Sequence, residues 1–220
     1  IMNDHPEIDV ILLDDGFQHR WIKAGLNILL TPYNNPFSKD HLLPLGKLRE
    51  NSKGAIRASI IIFSKCPEKM TPTEKKGVES GFHLFAHQNL YFSTIKYNPW
   101  KCLTTAEILQ EDNRYSITLV SGIAHPLAIV TFLENKGHTI SHLNYDDHHN
   151  YSSKDIKDIL SVYNKDKSTK KLILTTEKDV VKLRKFEKEF EDANIYFAPI
   201  EVAFAEKENF ENSQCWISGF

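Results

Sequence analysis

The sequence is short of cysteine, of net charge and of long apolar runs, and it has none of the common glycine-rich phosphate loops. Its three cysteines, Cys66, Cys102 and Cys215, lie far apart, with no CxxC among them. An odd, scattered set reads as free thiols of a reducing compartment, not as a disulfide framework or a zinc site. Lysine and arginine total 27 against 29 aspartates and glutamates, a net charge of -2. That balance argues against a general nucleic-acid binder and against a polybasic membrane anchor. No apolar stretch approaches the roughly 20 residues of a membrane span. The opening, IMNDHPEID, is too polar for a signal peptide. Neither G-x-x-x-x-G-K-S/T nor G-x-G-x-x-G occurs. Gly46-Lys47 comes nearest to the first, but His41 stands where its first glycine belongs and Leu48 replaces the hydroxyl residue.

What is present is ordinary globular composition: 220 residues, 41% hydrophobic and 25% charged, enough for one large domain or two small ones. Val10-Ile11-Leu12-Leu13, within 9–14, is a continuous apolar run of the kind buried parallel strands use. Residues 26–31 and 58–64 are two more. Between them, 32–54 is a long connection rich in Pro, Asn and Gly, and such loops are usually functional or disordered. Residues 90–98 alternate with period two, as a half-exposed strand does. Then the pattern restarts. Strands are expected at 115–120, 139–143 and 171–176. Pro126 opens an amphipathic helix ending at Gly137. Ser152 and Asp155 form a capping box, with Ile156, Ile159, Leu160 and Tyr163 on one helical face. A third helix is expected over 177–190, and 195–204 is a last extended segment and a candidate partner for 90–98. Alternating strands and helices imply an α/β chain with parallel sheets. The expected division is 1–98, 99–194 as a smaller α/β domain, and 195–220 as a returning strand and tail.

Four motifs carry chemistry. Asp14 and Asp15 follow the first apolar run, and ligands of α/β sheets bind beyond the carboxyl ends of strands. An apolar strand ending in Asp is the pattern that holds Mg²⁺ beside nucleotide phosphates. Adjacent aspartates repel, so a cation or a proton is expected there; the plain structural alternative is a turn at Asp14-Asp15-Gly16. Gln18-His19-Arg20, three polar side chains in a row, favour the chemical reading. Arg49-Glu50 ends LLPLGKLRE and suits either phosphate binding or a surface ion pair. Asp146-Asp147-His148-His149 lies between a strand end and a capped helix. General-base chemistry, metal ligation and a solvated loop all fit it. In LTTEKDVVKL, Thr175 or Thr176 caps a helix, Glu177 and Asp179 suit its dipole, and Lys178 could face a ligand. SGIAHP (121–126) is a strand-to-helix turn able to present N–H groups to an anion.

In this order, DDGFQHR, LLPxGxLRE, SGIAHP, DHHxY and TEKDxVKL resemble the tetraacyldisaccharide 4'-kinase family, the lipid A 4'-kinases. The resemblance covers nearly the whole chain, and DDGFQHR is its most specific part. It implies a P-loop-type kinase core whose parallel sheet is incomplete here, followed by a smaller α/β domain. It implies transfer of the ATP γ-phosphate to the 4'-hydroxyl of an acylated glucosamine disaccharide 1-phosphate, giving lipid IVA. The work is done with Mg²⁺ at the cytoplasmic face of the bacterial inner membrane, with peripheral attachment and no nucleic acid. By resemblance Asp14 and Asp15 are carboxylates near Mg²⁺ and ATP, Gln18 and His19 share their site, and Arg49 and Glu50 close on it. His148 resembles the histidine that, with an aspartate of the N-terminal part, activates the acceptor hydroxyl, with transfer gated by domain closure.

The chain departs from the family's pattern. The phosphate loop, the membrane helix and the catalytic aspartate of the family precede DDGFQHR and are not in this sequence. Ile1 is not a methionine, so an upstream segment is expected, and the chain alone is expected to bind ATP poorly and to be an inactive fragment. Without that segment the first sheet should have an exposed edge. Asn51 stands where the family usually has proline after LRE. The competing reading is a non-catalytic α/β module that binds a partner or a metal through Asp147, His148 and His149.

Overall fold

The computed structural model describes residues 4–109 and 113–205. Cys215 and the expected tail after 205 lie outside them. The chain forms two compact units: one runs to Ile95 and resumes at Val202, and the other is Lys96–Glu201.

The first unit is built on a four-stranded sheet. Its strands are β1 (Ile28–Pro32), β2 (Ile60–Ser64), β3 (Asn89–Tyr97) and β9 (Ile200–Phe204), in the order β1-β2-β3-β9. β1, β2 and β3 are parallel neighbours, with Ile28 opposite Ile60 and Ile60 opposite Asn89. The apolar runs are continuous because alternate residues are covered on opposite faces. Ile61, Phe63 and Phe92 pack with Phe37, Val78 and Phe82. Ile60, Ile62 and Tyr91 pack with Leu26 and Phe204. The Phe63 and Phe82 rings meet edge-on at 4.9 Å, the arrangement favoured by aromatic quadrupoles. Helix α1 (Pro72–Ser80), which the sequence reading did not anticipate, starts at a capping box of Thr71 and Glu74 with proline in its first turn.

The apolar run before Asp14 does not form the expected buried strand. Val10, Ile11, Leu12 and Leu13 are 58, 53, 89 and 55% exposed. A strand persists when neighbours take up its N–H and C=O groups and cover its faces. Among the described residues no strand pairs with this run, and β1 is itself a sheet edge, with Ile28 and Leu30 exposed. Asp14 and Asp15 therefore lie on a turn and not at a strand end.

The second unit has the order β4-β8-β7-β5-β6. The strands are β4 (Lys101–Cys102), β5 (Ser116–Ser121), β6 (Thr139–Asn144), β7 (Lys171–Thr176) and β8 (Ile195–Ala198). β6, β5, β7 and β8 run parallel, and β4 is antiparallel to β8. Helix α2 (Leu127–Asn135) buries Ile129 and Leu133 against Ile117, Leu119, Leu172 and Leu174. Helix α3 (Ser153–Lys165) buries Ile156, Ile159 and Tyr163 against Val120, Ile173 and Ile195. The two helix contacts use alternate residues of the same strands, so both sheet faces are covered. Gly137 takes φ +82° just after α2, a left-handed position suited to glycine. The expected 177–190 helix divides into α4 (Glu177–Leu183) and a 3₁₀ turn, Arg184–Phe190, with a break at Phe186. The expected pairing of 90–98 with 195–204 is also divided, at Pro199: β9 lies beside β3, whereas β8 joins β7 and β4.

Candidate active site

In the first unit, residues from two distant motifs line one open cleft of about 380 Å³: Asp15, Gln18, His19, Arg20, Arg49 and Glu50. The DDGFQHR segment is a series of tight turns. Asp15 adopts φ 49°, its N–H donates to Asp14 Oδ1 at 3.0 Å, and the His19 N–H reaches the Gly16 carbonyl at 2.9 Å. Aspartate is among the few non-glycine residues that take this left-handed conformation readily, and here the Asp14 carboxylate braces the turn by accepting the Asp15 N–H. Arg49 and Glu50 are delivered by a turn wound around Asp40, whose Oδ1 accepts from the N–H groups of His41 at 2.8 Å and Lys47 at 3.3 Å. Those bonds, the His41 one foremost, hold the Asp40 carboxyl below its ordinary range. A Cβ at Gly46 would lie 2.2 Å from the His41 carbonyl oxygen. Gly46 thus serves close chain approach, and Gly46-Lys47 is part of a turn. Asn51, the departure from the family pattern, caps the 3₁₀ turn Ser52–Arg57 by accepting from the Lys53 N–H at 2.9 Å.

Arg49 and Glu50 do not pair with each other. Arg49 Nη1 meets Asp15 Oδ2 at 2.9 Å, and Arg20 Nη2 meets Glu50 Oε2 at 3.1 Å. Arg57 bonds Glu50 Oε1, donates to the Phe17 carbonyl at 3.1 Å and lies 4.8 Å over the Phe17 ring. Burial alone would raise Glu50, but the bonds from Arg57 and Arg20 outweigh it and hold its carboxyl below the ordinary range. Arg57 has no motif of its own, and only the folded chain brings it to Glu50.

In the second unit, parallel strands deliver three loops to one end of the sheet, because Ser121 is opposite Asn144 and Val120 opposite Thr175. Lys178 Nζ donates to Asp147 Oδ1 at 2.8 Å and lies 3.4 Å from His148 Nε2. His148 Nε2 is 3.7 Å from Asp147 Oδ2, and its backbone takes φ 62°. His149 turns away: Nε2 meets Asp155 Oδ2 at 3.2 Å, and the ring stacks on Tyr145 at 4.7 Å. Asp147, His148 and His149 therefore do not converge on one point, and among the described residues no three His, Cys, Asp or Glu side chains form a metal-sized group. His142 sits within β6 with Nε2 2.8 Å from Ser121 Oγ, and burial lowers its pKa.

Mg²⁺ needs less than a full protein cage. It takes one or two carboxylates and completes its shell with water and phosphate oxygens. Asp14 and Asp15 are exposed hard-oxygen donors on one turn. The Arg49–Asp15 pair is solvated on both sides, with 64% and 71% of the side chains exposed. Such pairs are worth about 0–1 kcal/mol, so Asp15 can exchange its partner easily. The residues fit the ion.

The model of the family described as tetraacyldisaccharide-1-P 4'-kinase matches residues 1–214. A tetraacyldisaccharide 4'-kinase of Bacteroides fragilis strain YCH46 is 39% identical over 98% of this chain and 59% of its own length. One of Bacteroides thetaiotaomicron is 37% identical over 95% of this chain and 58% of its own. A crystal structure of LpxK from Aquifex aeolicus in complex with ATP superimposes with a TM-score of 0.60 at 25% identity, covering 93% of this chain and 56% of that one. The chain spans just under three-fifths of the length of these curated relatives.

Proposed function

The chain belongs to the tetraacyldisaccharide-1-P 4'-kinase family, and from that premise we propose that its native gene product phosphorylates the 4'-hydroxyl of a tetraacyldisaccharide 1-phosphate with ATP, forming lipid IVA in lipid A biosynthesis. One observation carries the reading: DDGFQHR and LRE, well separated in sequence, supply all six residues lining one polar cleft. Phosphoryl transfer depends mainly on positioning and charge neutralisation, and the cleft offers both. Asp14 and Asp15 would hold Mg²⁺, which offsets phosphate charge when bound. Arg49, released from Asp15, and Arg20 would bind phosphate oxygens as forked donors. Glu50 holds Arg20 and Arg57 in place; Gln18 and His19 would add hydrogen-bonding side chains to the same cleft. His148 is proposed as the base that takes the hydroxyl proton, with Asp147 and Lys178 setting its surroundings. Such a lipid acceptor would place the reaction at the cytoplasmic face of the bacterial inner membrane. Attachment there is proposed as peripheral, through the part of the family that precedes DDGFQHR; among the described residues of this chain no helix is long and apolar enough to cross a membrane.

The test is transfer of labelled phosphate from ATP to tetraacyldisaccharide 1-phosphate by the native gene product containing this chain. Asp15→Asn or Arg49→Ala is expected to lower kcat by on the order of 10²-fold or more. Absence of transfer by the unaltered protein would sink the reading.

A further inference from the structure

Asp179 is fully buried, yet it carries a carboxylate and has no cation beside it in any ion pair among the described residues. Its Oδ2 accepts from the Gly122 N–H at 2.9 Å and from Thr176 Oγ1 at 2.7 Å. Its Oδ1 has no hydrogen-bond partner of ordinary geometry, and neither has the buried Tyr151 hydroxyl. Both point at the same small space. A Cβ built on Gly122 would lie 3.1 Å from Asp179 Oδ1, 3.2 Å from the Asp146 carbonyl oxygen and 3.3 Å from the Tyr151 hydroxyl. A buried carboxylate left partly unpaired is costly unless nearby donors are held to it. Burial, then the Asp179 charge, pushes the Tyr151 phenol well above its ordinary value, which keeps it an O–H donor.

Gly122 is the joint of this arrangement. Its N–H goes to Asp179, while its carbonyl accepts the His148 N–H at 3.3 Å, a donor shared with Asp147 Oδ1 at 3.1 Å. His148 needs that support because φ 62° is an uncommon conformation for a non-glycine residue. Helix capping by Thr176 explains only one bond of the set. It does not explain why the carboxylate reaches the loop after β5 and faces the one after β6.

We infer that Asp179 is a positioning residue for His148: through the Gly122 peptide it fixes the backbone that presents the Asp147–His148–Lys178 cluster. The inference rests on the reading of His148 as the base for its consequence in catalysis, but its structural part is tested separately. In the 220-residue chain, Asp179→Ala should raise amide hydrogen exchange at Gly122 and His148 by about tenfold or more, with Leu119 and Leu174 unchanged. Asp179→Asn keeps an acceptor for Gly122 and should restore protection. Gly122→Ala, which crowds the carboxylate without removing it, should reproduce the Ala signature. Unchanged exchange at Gly122 and His148, or a rise shared equally with Leu119 and Leu174, would overturn the inference. In the native gene product, Asp179→Ala should lower kcat by on the order of tenfold to a hundredfold with the KM for ATP unchanged, and Asp179→Asn should recover most of it. An Asn variant as inactive as the Ala variant would show that the charge acts, not the geometry. A wild-type protein without transfer activity would remove the kinase reading and leave the exchange result standing.

Discussion

Glu50 holds two guanidinium groups on one carboxylate, one on each oxygen. Its pKa is lowered from the ordinary 4.5. A depressed carboxylate stabilises the fold above its unfolded pKa, and that contribution fades as pH falls through the folded value. Glu50→Gln should therefore lower the thermal midpoint at neutral pH, with the gap to wild type closing as pH drops below the ordinary glutamate range. A gap independent of pH in calorimetry would show that Glu50 acts through packing. His148 gives the second residue-scale expectation. His148→Ala in the native gene product should cut kcat by about 10²-fold or more while ATP affinity stays nearly intact, read by steady-state kinetics beside equilibrium binding. An unchanged kcat would remove the base assignment. Most of these residues were visible in sequence because polar side chains crowded beside apolar runs have no packing role. Arg57 was not, and Asp179 was legible only as a first-turn acid: Arg57 reaches the Phe17 carbonyl 40 residues away and Asp179 the Gly122 N–H 57 residues away, and no local spacing encodes such contacts.

At the scale of elements, short-range chemistry predicted best. Ser152 accepts from the Asp155 N–H, Asp155 answers the Ser152 N–H, and α3 buries Ile156, Ile159 and Tyr163 as its periodicity requires. Ser152→Ala should cost about 1 kcal/mol, measured by denaturant unfolding; a change near zero would mean that tertiary packing alone holds that end. The apolar-rich segments 28–32, 60–64, 116–121 and 171–176 became strands because each has a neighbouring strand to take up its backbone N–H and C=O groups. The run at 10–13 has the same composition and did not, since pairing is a property of the neighbours. Periodicity likewise carried one helix through 177–190, but the chain breaks at Phe186.

At the scale of the molecule, stability should be uneven. Leu119, Ile173 and Leu174 are fully buried, whereas Val10 to Leu13 stand in solvent. Amide exchange at the former should be slower by several orders of magnitude; equal rates would contradict the fold described. Activity should depend on the ion as well. EDTA should abolish transfer by the native gene product and Mg²⁺ restore it, with Asp14→Asn and Asp15→Asn raising the Mg²⁺ requirement. The sequence by itself determined the α/β class, most strands, the helix caps and the family, because these rest on local pattern and on ordered motifs. Only the tertiary structure decided that the first apolar run is not a strand, that Arg49 and Glu50 take separate partners, that His149 leaves His148, and that Asp179 accepts the Gly122 N–H. Each of those outcomes depends on groups distant in sequence meeting in space, where burial and hydrogen bonding, and not local propensity, set the free energy.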